Sequence, residues 1–174
     1  QMNISDSLSE LMSSNPIVEQ NVNKAPWNKG WFIAVTLSNH QLGCAMDVSL
    51  VRITGAEKLE CGEFPYLNVT GYEEINMPTQ MHEVSSAACV FKTPVDSKSR
   101  TAWMDVELSD SMTDDAILLQ NICTSSGLSP LSSEWWHFND LDAREENAGK
   151  WSYGQYYLTE GLSEVPDSTW GNLH

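Results

Sequence analysis

From Ala45 the chain alternates, with Ala45, Asp47 and Ser49 on one side and Met46, Val48 and Leu50 on the other. A period of two predicts a half-buried strand, here running from Ala45 to Ile53. Its apolar side faces the core, and its other side carries a carboxylate between two small residues. The apolar run Trp31 to Leu37 predicts a second strand just ahead of it. Residues 7–13 read as a helix: Leu8, Leu11 and Met12 share a face, Ser7 with Glu10 forms a capping box, and Asn15-Pro16 ends it. A second helix is expected from about Met112 to Ser125. Ser111 or Thr113 caps it, Asp114 and Asp115 suit its positive end, Ile117, Ile122 and Cys123 give it an apolar face, and Gly127 closes it. Beyond Pro130, Leu131 to Phe138 reads as a further strand.

Between these elements the pattern is polar. Residues 17–30 are turn-rich and Thr54 to Glu57 reads as a turn. Residues 62–100 form a long irregular connection, of the kind that is usually functional or mobile; Met77 to Glu83 is its most distinctive part. Residues 139–150 read as solvated, and the tail holds Trp151, Tyr153, Tyr156 and Tyr157. The expected organisation is one domain, with a lead-in over 1–28, a core over 29–138 and a polar, aromatic tail over 139–174. The fold class is α+β, a small antiparallel sheet with helices packed on one side.

At 174 residues and 41% hydrophobic content a single core is affordable. The net charge of −15 argues against nucleic acid, since phosphate binding needs clustered Lys and Arg. No apolar run is long enough to span a bilayer. Cys44, Cys61, Cys89 and Cys123 contain no Cys-x-x-Cys pair, so a cysteine-based zinc knuckle is not expected.

Candidate chemistry gathers at two places. His40 precedes the central strand, Gly43 supplies a bend, and Asp47 follows on the strand. A neutral imidazole and a carboxylate suit a borderline metal such as zinc. Downstream, Glu134 and His137 offer a base and a second imidazole, the pairing a hydrolytic zinc site requires. Residues three apart point oppositely on a regular strand, so a bulge or an irregular start must turn Glu134 and His137 toward one centre.

Together, Ser38-x-His40-x-x-Gly43-x-Ala45-x-Asp47 and Glu134-x-Trp136-His137 resemble the motifs of the zinc D-Ala-D-Ala dipeptidase and D,D-carboxypeptidase family of bacterial cell-wall metabolism. The resemblance implies a D,D-peptidase/hedgehog-like fold. It further implies one Zn2+ held by His40, Asp47 and His137, with Glu134 as the catalytic base. It places Ser38 at the substrate, and Trp136 and His82 are carried as further substrate-binding candidates.

Two departures shape the expectation. The family supplies an arginine well upstream of its first ligand, but here Arg52, Arg100 and Arg144 all follow His40. The chain is therefore expected to be the C-terminal portion of a longer protein, and a poor catalyst as given. Met81-His82 also stands where dipeptidase members tend to carry Phe-Asp. That favours a carboxypeptidase acting on peptidoglycan stem peptides or D-Ala-D-Ala precursors over a strict dipeptidase. The expected location is the cell envelope, with the cytoplasm as the alternative. The rival readings are a zinc-bearing module that holds a wall peptide without turnover, and a metal-free interaction domain.

Overall fold

The computed structural model describes residues 4–34 and 38–149. Within them the chain is α+β, with two antiparallel sheets, and it separates into two units. One takes the chain up to Leu50 and again from Ile75; the other is Val51–Glu74.

In the first unit, α1 (Ile4–Ser14) is followed by α2 (Pro16–Val22) and α3 (Lys29–Phe32). Ser7 lies inside α1 rather than at its cap. Asn15 both closes α1, through its N–H to the Leu11 carbonyl, and caps α2 by accepting from the N–H groups of Ile17 and Val18. Pro16 at the first helical position needs no N–H partner, so the pair that was expected only to end one helix also begins another.

The strand expected over Trp31 to Leu37 is not formed at its start: Trp31 and Phe32 belong to α3, capped by Asn28, and residues 35–37 lie outside the described residues. Burial explains the difference. Phe32 joins Val22, Trp27 and Cys89 in a small apolar cluster, with Trp31, Leu8 and Met12 packed against it. That contact overrides the β-propensity of the aromatic residues.

The strands β1 (Ala45–Asp47), β4 (Ser129–Leu131) and β5 (Glu134–Asn139) form the sheet of this unit, in the order β1-β5-β4, while β2 (Val51–Cys61) and β3 (Phe64–Glu74) make up the other unit. The expected strand Ala45 to Ile53 is thus broken after Asp47. Val48 and Leu50 still pack on the core, but Met46 is largely exposed, so the alternation describes only part of the segment. Helix α4 (Asp114–Ser125) runs as its cap predicts, with Thr113 Oγ1 accepting from the Ala116 N–H. It packs against β4 and β5.

The main core gathers Val90, Phe91, Leu119, Trp135, Trp136 and Phe138, so the sheet, α4 and the 88–95 segment close on one another. The stretch after β5, expected to be solvated, contains a short helix α5 (Leu141–Glu146), with Asp140 as its cap and Leu141 buried. The tail from 151 lies outside the described residues. All four cysteines are unbridged.

The second unit is a two-stranded ribbon. Its loop is Gly62-Glu63, between paired Cys61 and Phe64, and Gly62 takes the positive φ of 62° that a two-residue hairpin demands at this place. Residues 54–57 are therefore strand rather than turn, and 64–74 are strand rather than irregular connection. The cause lies in composition: Val51, Ile53, Phe64, Tyr66, Val69 and Tyr72 are strand formers, and the register slips at Gly55, where the sequence suggested a turn. Among the described residues no helix is long and apolar enough to cross a membrane.

Candidate metal centre

Antiparallel pairing of β1 with β5 sets Asp47 opposite His137. His40 arrives from the turn ahead of β1, where Gly43 at φ 68° sends its N–H back to the His40 carbonyl. No atom crowds a side chain at Gly43, so the requirement there is the left-handed backbone alone.

The ligand atoms converge. His40 Nε2 is 3.1 Å from Asp47 Oδ1, His137 Nδ1 is 3.3 Å from the same oxygen, and the two ring nitrogens are 2.9 Å apart. Tetrahedral bonds of about 2.0–2.1 Å put ligand atoms roughly 3.3 Å from one another. The triad is therefore at, or a few tenths of an ångström inside, the spacing a metal ion needs. Asp47 Oδ1 is buried without a hydrogen-bond partner, and a buried unsatisfied carboxylate oxygen is costly. A cation at the centre of the three atoms satisfies it. His40, Asp47 and His137 can thus hold a metal ion.

A chain of hydrogen bonds from Arg144 through two amides sets the tautomer of His137. Arg144 Nε donates to Asn39 Oδ1 at 3.1 Å. A guanidinium only donates, so the amide of Asn39 must present its NH2 to Asn139 Oδ1, 2.7 Å away. That oxygen therefore accepts, and His137 Nε2, at 3.0 Å from it, carries the ring proton. Nδ1 is left bare toward the triad, which is the state a ligand needs. Burial, ahead of the neighbouring His40, also holds the His137 pKa below the ordinary histidine value, although Asn139 and Asp47 pull the other way.

Glu134 lies at the start of β5, with Oε2 3.6 Å from His137 Nδ1. The three-residue spacing is reconciled by a bulge: β4 advances one residue, from Pro130 to Leu131, while its partner on β5 jumps from Phe138 to Glu134. Trp135, Trp136 and His137 are thereby released from β4, and Glu134 and His137 turn toward the same place. Burial, then the charge of Asp47, pushes the Glu134 carboxyl up to about 8. The Trp136 indole N–H offsets this in part, although it makes no hydrogen bond of good geometry.

The remaining candidates are placed as follows. Ser38 lines a cavity of about 380 Å³ together with His40, Glu134 and His137, and its hydroxyl accepts from the Gln41 N–H. His82 is 67% exposed, with Nδ1 3.7 Å from Asp47 Oδ2 and its ring 5.7 Å from that of Trp136. It adopts a positive φ of 67°, uncommon for a residue with a side chain. Trp136 is 2% exposed and belongs to the core, where it meets Trp135 edge-on.

Sequence reasoning passed over Asn39, Asn139 and Arg144. Asn139 had a signal, because it stands two residues beyond His137 and so shares its side of β5. Arg144 had none beyond its sign, since its stretch read as solvated. Among known proteins, no family model, no curated protein and no solved structure matches this chain.

Proposed function

We propose that the chain is a zinc metallopeptidase of the D,D-peptidase kind. Its reaction would be hydrolysis of D-Ala-D-Ala-type bonds in peptidoglycan stem peptides or their precursors, as a carboxypeptidase rather than a strict dipeptidase. The observation that carries the reading is the convergence of His40, Asp47 and His137, with Glu134 beside them. Two imidazoles and one carboxylate make a three-ligand set, which leaves a position open as catalytic zinc sites do. Such a substrate puts the work of the protein in the cell envelope.

When bound, zinc would supply Lewis-acid polarisation of the scissile carbonyl and acidify a water molecule. The chain's own groups do the rest. His40 and His137 enter as neutral rings, the latter with Nδ1 bare because Asn139 holds its other proton. Glu134 takes the proton of the attacking water and returns it to the leaving amine. Its carboxyl is held protonated in the metal-free chain by burial and by the Asp47 charge; positive charge at the triad opposes the second of these and frees it to act as a base.

The test is metal analysis followed by an assay for D-alanine release from acetyl-D-Ala-D-Ala and from a stem pentapeptide, in wild type and Glu134→Gln. Uptake of one zinc with release of D-alanine only in wild type is the expected result. One observation favours a second reading, a zinc-bearing module that holds a wall peptide without turnover. Among the described residues no Lys or Arg pairs with Asp47 or Glu134, so neither carboxylate of the centre has a second cation in contact with it. Zinc uptake with no turnover of either peptide would select it.

A further inference from the structure

We propose that Arg144 is the residue that receives the C-terminal carboxylate of a peptide bound in the metal cavity. The inference deepens the function proposed above and rests on it for the kind of peptide.

The charge pattern singles this arginine out. The chain carries 24 acidic residues against 9 Lys and Arg. Arg52 pairs with Glu73, and Arg100 pairs with Asp142 and Glu145. Arg144 is surrounded in sequence by Asp140, Asp142, Glu145 and Glu146, yet among the described residues it has no carboxylate partner. Its single hydrogen bond there uses Nε, to Asn39 Oδ1. Among the described residues neither terminal nitrogen has a hydrogen-bond partner, and the side chain lines the cavity that also contains His40, Glu134 and His137. Lys98, exposed and likewise without an ion pair among the described residues, lines the same cavity. In so acidic a protein, two unneutralised cations on one cavity make it a place for an anion.

Position decides which anion. Arg144 is tied, through Asn39 and Asn139, to the Nε2 side of the His137 ring, whereas Nδ1 faces the triad. A donor that stabilises a developing oxyanion must lie about 3 Å from it, so Arg144 is not placed to act on an oxygen at the triad. It lines the same cavity, where a bound peptide can bring a group beyond the scissile bond to it. In a carboxypeptidase substrate that group is the carboxylate of the terminal residue, one residue beyond the scissile carbonyl. The planar guanidinium, with two nitrogens free, matches the two oxygens of that carboxylate. A terminal amide offers one oxygen and no charge.

The test uses acetyl-D-alanine and its C-terminal amide as probes, titrated into the full chain before and after zinc loading. The Arg144 Nε–H resonance is followed by NMR. The acid is expected to bind roughly 10- to 100-fold tighter than the amide, as a hydrogen-bonded charge should, and to shift the Arg144 signal. Arg144→Gln should bring the acid down to the level of the amide, in the zinc-free as in the zinc-loaded chain, and Arg144→Lys should fall between. Equal binding of acid and amide by the wild type would overturn the proposal. So would an acid preference that survives Arg144→Gln, including the case in which that variant only weakens zinc binding, since Arg144 would then be no more than a prop for Asn39. A chain that takes up no zinc but prefers the acid through Arg144 supports the receiver and removes the metallopeptidase reading instead.

Discussion

Asp47 stands directly across the β1–β5 ladder from His137, and its Oδ1 lies 3.3 Å from the bare ring nitrogen. Cross-strand neighbours have Cβ atoms about 4.5–5.5 Å apart, so the sheet itself delivers two of three ligands to one point. Only His40 depends on a turn.

Metal binding should therefore be one ion per chain and should be lost on removing His137. Dialysed wild type and His137→Ala are compared for zinc content; equal stoichiometry would sink the triad. Affinity should fall in acid, because protons compete for the rings. For His137 that competition starts below the ordinary histidine range, since burial lowers its pKa.

Glu134→Gln should keep the metal and lower hydrolysis by about 10²- to 10⁴-fold. It has a second signature that needs no substrate. Unfolded, this carboxyl loses its proton near 4.5; in the folded, metal-free chain it does so near 8. The folded state holds the extra proton between these values. This group's contribution to stability is therefore complete below about 4.5 and is lost as the pH rises through about 8. Melting curves of the metal-free chain across that window should decline more in wild type than in Glu134→Gln. Parallel declines would mean that Glu134 is not buried as described.

Asn139→Leu should weaken zinc binding by about 10- to 100-fold, the usual cost of losing a partner behind a ligand. Nitrogen chemical shifts of His137 supply the direct reading: the Nε2–H form in wild type, and a mixture of tautomers in the variant. An unchanged tautomer would show that Asn139 does not set it.

Cys89 is 1% exposed, and burial with the nearby Glu134 charge pushes its thiol up to about 12. Iodoacetamide at mildly alkaline pH should label Cys61, which is half-buried, while leaving Cys89 untouched until the chain unfolds. Early labelling at Cys89, read by peptide mass spectrometry, would contradict its placement.

The parts of the fold that were legible in sequence are those where local chemistry acts alone. Helix α4 carries its own cap and acidic first turn, and β5 its run of buried aromatics. The strand assigned to Trp31 and Phe32 failed because partners distant in sequence, such as Cys89, decide their conformation. The ribbon was missed because Gly55 looked like a turn and is a slip in pairing. At the site, motif spacing picked out His40, Asp47, Glu134 and His137. It did not find the residues behind them: amides that orient a ring carry no charge pattern, and Arg144 becomes visible only when 105 residues of separation close to one hydrogen bond with Asn39.

The exposed ribbon β2–β3 begins and ends at a closed base, since Val51 and Glu74 are paired. A segment whose two ends already meet is, for the rest of the chain, a detour. Every ligand of the metal triad lies outside it, before Leu50 or after Ile75. A short Gly-containing bridge from Leu50 to Ile75 should then yield a smaller protein that still takes up one metal ion. The triad would be separable from the ribbon by surgery on a single connection, and whatever the ribbon contributes could be measured by its removal.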